Sequence, residues 1–318
     1  MTRAGVGIFM AAVLVAVAVQ DPIRARQGPA APALAGTTLA GTWTLVSIEE
    51  AADSAQPVRV QNPRGLLVLD GAGLVFEAAT RADRTRPTDA NKTLTDAQRV
   101  FATYSGFWGR YKVDAAAKTL TAHAEGAVSP SVMGRDFSRT FAVDGDRLTL
   151  TSVSVEPHQR GITRWVWERV PPVENLSPSY RQVAGFWQHV IEKRVNLTLK
   201  TEVASTRAPS VIVYTASGYV GVYFPPMWAT KPFAGKDPTD EEAREVLRGY
   251  VGYFGALGVY PGMVFHHILG GLSPTGPQTL KRFFDLTPSG DEVNLRFPVA
   301  VNQQGQETTT LVTMKRLK

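Results

Sequence analysis

The chain has no cysteine in its 318 residues. Disulfide bonds are therefore excluded, as is lipid attachment through a cysteine thiol, so the fold has to stand on packing alone. Histidine is scarce as well, with five in all. His266 and His267 are adjacent, so on a strand they point to opposite faces and cannot share an ion; no metal site is expected. Charge of one sign is never concentrated: the net charge of +6 is spread along the chain, with no run of five like charges. No basic stretch is interleaved with aromatics, so nucleic acid is not an expected partner. Also missing are a Gly-x-Ser-x-Gly elbow, a phosphate loop ending in Gly-Lys-Ser/Thr, and a Gly-x-Gly-x-x-Gly turn between strand and helix. Their absence removes the usual hydrolase, kinase and dinucleotide signatures, and no cofactor is expected.

The one long apolar run, Gly5 to Val17, follows Arg3 and ends in Ala16-Val17-Ala18. That is the layout of a signal peptide over residues 1–18, with export to the periplasm or the medium as its consequence. The run is too short to span a bilayer well, so no stable membrane anchor is expected after cleavage. Residues 19–38 are rich in Ala, Pro, Gly and Arg without apolar period, which predicts a disordered leader.

What the sequence does contain is a repeat. Leu39-Ala-Gly-Thr-Trp43 returns as Val183-Ala-Gly-Phe-Trp187, 144 residues on. Thr95-Asp-Ala-Gln98 and Thr239-Asp-Glu-Glu242 keep that offset, and both have the form of a capping box opening a helix. Ser129-Pro130 and Ser273-Pro274 keep it too, as do His123 and His267. Between these markers lie short apolar runs broken by Gly-rich turns, such as Leu66 to Phe76 and Val211 to Phe224, which read as hairpins. A fixed period of this length predicts a duplicated unit. The expected fold is all-β: two tandem antiparallel β-barrels over residues 39–170 and 183–318, each with one short helix, joined by a proline-bearing linker over 171–182.

An opening strand with Gly-x-Trp, a meander of strands and a near-terminal arginine resemble the lipocalins and related calycins. More narrowly, each half resembles the bacterial and fungal lipocalin-like domain family. The first copy carries that pattern at Gly41, Trp43, Pro63, Gly65, Tyr111, His123, Pro130, Arg139, Gly145 and Asp146, whereas the second is more diverged, with Leu269 in place of Glu125. The resemblance implies that Arg169 lies across Trp43 and Arg316 across Trp187 at the closed end of each barrel, as structural pairs.

It also implies a small apolar or amphipathic molecule in a barrel interior. His123 and His267 are the polar candidates to orient it, with Tyr111, Trp108, Phe265, Tyr223 and Trp228 as apolar contacts. An alternative is a cofactor-independent isomerase or cyclase, for which His123, Glu125 and His267 are the candidate acids and bases. A third is a packed interaction scaffold without a pocket. Period-2 alternation puts Thr121, His123 and Glu125 on one face, which fits either a polar lumen or a solvent-facing strand.

Overall fold

The computed structural model describes residues 39–51, 56–81, 93–153, 161–206, 209–226, 231–235, 237–273 and 278–318. The expected signal peptide and leader, and Trp228, lie outside the described residues.

The first half runs β1 (Gly41–Ala51), β2 (Val58–Arg59), β3 (Arg64–Leu69), β4 (Leu74–Thr80), α1 (Asp96–Ala102), β5 (Tyr104–Asp114), β6 (Thr119–Ala127), β7 (Asp136–Asp144), β8 (Arg147–Val153) and β9 (Ile162–Val170). Each strand pairs antiparallel with the next along the meander, and β9 returns to β1 from Thr42↔Val170 to Ala51↔Ile162, closing an eight-stranded barrel. The short β2 adds to β1 outside the closed ring.

The second half repeats this order: α2 (Pro178–Val183), β10 (Gly185–Asn196), β11 (Thr201–Ser205), β12 (Val211–Tyr214), β13 (Tyr219–Phe224), α3 (Asp240–Gly249), β14 (Val251–Tyr260), β15 (Met263–Gly271), β16 (Thr279–Leu286), β17 (Glu292–Arg296), β18 (Ala300–Val301) and β19 (Glu307–Arg316). Here β19 closes on β10, again with eight strands in the ring. Both closing ladders slip at one place, between Leu45 and Ser47 and between His189 and Ile191. The bulge recurs because it turns the opening strand at the same point of each barrel.

Local chemistry accounts for the helices. In α1 and α3 the Thr95 and Thr239 hydroxyls accept from the N3 backbone N–H, while Gln98 and Glu242 reach back to the cap N–H. The segment expected as a plain linker ends in α2, because Ser177 caps it and Pro178, at the first helical position, has no N–H to leave unsatisfied.

One end of each barrel is sealed in the same way. Trp43 and Trp187 are fully buried, and their indole N–H groups donate to Leu39 O (3.0 Å) and Val183 O (2.7 Å). Arg169 lies 4.0 Å over the Trp43 ring and Arg316 4.1 Å over that of Trp187. Gly41 and Gly185 sit beneath these guanidinium groups with φ of +149° and +132°, and a Cβ at either would stand 2.7 Å from the arginine Nη1. Glycine is therefore needed both for the backbone and for the space.

The barrels belong to one compact unit. In β3 and β4 the alternation splits two ways: Leu67, Leu69 and Val75 face the first barrel's interior, while Leu66, Val68 and Phe76 join a second core with Val211, Val213 and Phe254 of the other barrel. Strands buried on both faces are what this requires, and β4 is buried along its whole length. The Phe76 ring lies against the bare backbone of Gly221, where a Cβ would approach it to 2.4 Å. Across the seam, Tyr223 donates to Ala127 O at 2.7 Å, Trp108 donates to Pro209 O at 3.3 Å, and α1 packs on α3, with Gln98 Nε2 donating to Pro238 O at 2.8 Å.

Candidate functional site

The two interiors are built on one plan and filled differently. Strand register gives the equivalences: Trp165, opposite Ile48, corresponds to Val312, opposite Glu192; Trp167, opposite Leu45, corresponds to Met314, opposite His189. Phe137, opposite Ala122, corresponds to Leu280, opposite His266. In the first barrel Trp165 and Trp167 stack with centroids 6.0 Å apart, and Phe107 meets Phe137 edge-on at 4.8 Å. Among them Arg139 donates to Glu77 at 2.5 Å, both side chains being buried. Beside Ile48 and Trp165 there is a void of about 10 Å³, space for about one water.

In the second barrel, replacement of two indoles and a phenyl ring by Val312, Met314 and Leu280 removes much of that filling. A cavity of about 450 Å³ occupies the end remote from Trp187. That volume lies within the range of small-molecule sites. Its wall is aliphatic at Ile212, Val222, Leu280, Leu295 and Val312, with polar groups from Arg282, Arg194, His266, Tyr253, Thr310 and Glu192.

His266 is the deepest of these, fully buried between two tyrosines: Nδ1 is 2.8 Å from the Tyr253 hydroxyl and Nε2 3.2 Å from that of Tyr214. Burial, reinforced by the charge of Arg282, lowers its pKa to about 3, so the ring is neutral near pH 7. Burial also pushes Tyr253 up to about 12 and raises Tyr214, keeping both hydroxyls protonated. A neutral imidazole with a hydroxyl on each nitrogen is a rigid polar strut and has no vacant nitrogen with which to take a substrate proton.

The residues singled out from the sequence fall elsewhere. His123 is on the outer face of β6, half exposed, with Nδ1 2.6 Å from Asp136. Glu125, also outward, pairs with Arg110 at 3.2 Å. His267 is on the outer face of β15, 2.9 Å from Thr279 Oγ1, with its ring parallel to that of Phe265. Of the two readings open for the His123 strand, the structure has the solvent-facing one, because Leu120, Ala122 and Ala124 take the interior. Tyr111 is buried in the first barrel and donates to Asp70 O at 2.6 Å, while Trp108 and Tyr223 lie in the seam between barrels. These side chains do not converge on one cavity.

Sequence reasoning passed over His266 and Arg282. The clue to His266 was its neighbours at alternate positions, Val264 and Ile268, both apolar. Among the described residues no three His, Cys, Asp or Glu gather as a metal set, and no helix is long and apolar enough to cross a membrane.

Residues 40–170 match the lipocalin-like domain family. Among solved structures, the chain is similar to a protein of unknown function from the DUF3598 family of Nostoc punctiforme, at 10% identity and a TM-score of 0.23, over 88% of this chain and 96% of that one. It is also similar to a mutant of the vaccine antigen transferrin binding protein B from Haemophilus parasuis, at 9% identity and a TM-score of 0.21, over 82% of this chain and 54% of that one. No curated protein matches.

Proposed function

We propose, from the premise that residues 40–170 belong to the lipocalin-like domain family and that the second barrel repeats its strand order, that the protein is an exported carrier of one small amphipathic molecule. The second barrel holds the ligand, and the first acts as a packed support fused to it through the shared seam. The observation that carries this reading is the cavity of about 450 Å³ in the second barrel, at positions where the first has Trp165 and Phe137. Export rests on the signal-like residues 1–18 alone. Isomerisation draws no support from the geometry, since both nitrogens of the interior His266 are engaged by tyrosines.

The test is to put the missing rings back. A neutral solvatochromic dye such as Nile red should bind the full chain saturably with one site. Val312→Trp combined with Leu280→Phe should abolish that site without lowering the melting temperature. Absence of a saturable site in the unaltered protein, or equal binding by the filled variant, would replace the carrier with the interaction scaffold.

A further inference from the structure

Arg139 and Arg282 hold equivalent places, opposite Leu120 in the first barrel and Val264 in the second. Their partners differ. Glu77 stands opposite Leu67 across β3 and β4, and the residue in its place, opposite Ile212, is Val222. The first barrel thus neutralises its interior arginine with its own carboxylate, and the second has a valine where that carboxylate would be.

Arg282 keeps two contacts, donating to Lys281 O at 2.7 Å and lying 3.7 Å over the Phe297 ring. Among the described residues no carboxylate is within ion-pair distance of it. Glu192, on the same cavity wall, is engaged by Arg194 at 3.2 Å. Burial lowers the pKa of Arg282, the direction expected of a cation short of counter-charge. A partly buried guanidinium is costly when unpaired, and here the space beside it is open.

A second donor points the same way. Tyr253, neutral His266 and Tyr214 together carry three donatable protons and form two hydrogen bonds. When Nδ1–H donates to Tyr253 and Tyr214 donates to Nε2, the spare proton is that of Tyr253, which lines the cavity. The opposite tautomer would leave the spare proton on Tyr214, which is 1% exposed and does not line the cavity.

We infer that the second barrel takes an anionic amphiphile, its carboxylate held by Arg282 and the Tyr253 hydroxyl and its hydrocarbon part against Ile212, Leu295 and Val312. Arg194 on the same wall is engaged by Glu192, so Arg282 is left as one uncompensated guanidinium, which matches a carboxylate better than a phosphate dianion. The inference rests on the carrier reading, and a matched pair of probes separates the two.

Decanoate and decanol are titrated calorimetrically into the full chain, below their aggregation limits, at neutral pH. Decanoate should bind more tightly. Arg282→Met should weaken decanoate by roughly ten- to a hundredfold, the worth of a hydrogen bond to a charged group, and leave decanol nearly unchanged. Val222→Glu, which restores the first barrel's ion pair, should weaken decanoate in the same way while keeping the arginine, and serves as the independent variant should Arg282→Met unfold. Equal binding of both probes, with either variant affecting them alike, overturns the anion assignment and leaves the cavity occupied. No saturable binding of either probe overturns the carrier reading and the anion assignment together.

Discussion

Removing Glu77 tests the idea that the first barrel is a sealed core with an internal counter-ion. Glu77 is 3% exposed and Arg139 7%, and the arginine Nε already lacks a hydrogen-bond partner. Around the guanidinium lie the rings of Phe137 at 5.3 Å and of Phe107 and Trp165 at 5.8 Å, which give weak cation–π attraction and no counter-charge. Glu77→Val therefore strands a buried charge. The expected cost is about 3–5 kcal/mol, the usual penalty for breaking a buried pair from one side. At roughly 2–4 °C per kcal/mol for a cooperative unit of this size, the melting temperature should fall by about 6–20 °C. Glu77→Val with Arg139→Met removes both charges and should return most of that loss, because a desolvated pair contributes little net stability over an apolar replacement. Valine in the same place of the second barrel is tolerated because Arg282 borders a cavity. The assay is thermal unfolding followed by tryptophan fluorescence, which Trp165 and Trp167 make sensitive to this interior. A Glu77→Val protein that melts with the unaltered chain, or a double variant no more stable than the single one, would refute the reasoning.

Two further outcomes follow from the geometry. Arg169→Ala and Arg316→Ala should each cost about 1–3 kcal/mol in urea unfolding through lost packing on Trp43 or Trp187 and stranded carbonyls. Arg316 donates to Ala184 O, Gln182 O and Gly290 O, while Arg169 donates to Ala40 O and faces Asp146 at 3.6 Å; negligible effects of both substitutions would remove the sealing role. His266 has a folded pKa depressed to about 3, so as pH falls below about 6.5 the unfolded chain takes up a proton that the folded chain refuses. Its contribution is full above that pH and is lost toward pH 3 at about 1.4 kcal/mol per unit, so His266→Gln should flatten the stability profile between pH 6.5 and 5; an unchanged slope would mean that the ring protonates in place.

The sequence by itself determined the duplication, the β-rich unit, both capping boxes and the partners that seal each barrel. The first three are carried by local spacing or by a fixed period, neither of which depends on which way a strand faces, and the sealing partners came from the family resemblance. Facing is where the sequence ran out. Alternation divides His123 from Ala122, and His267 from His266, but assigns neither side to the interior, and a one-residue difference exchanges the two faces completely. The repeat also drew attention to His267, because it aligns with His123, although the interior position that differs between the copies is Ala122 to His266. In tandem barrels the outer face is buried too where they meet, so Trp108 and Tyr223 look like lumen residues and belong to the seam. Only the tertiary structure could decide that one barrel is full and the other hollow. That difference comes from the summed volume of side chains brought from β9, β7 and β4 in one copy and β19, β16 and β13 in the other, and no single stretch of chain contains that sum.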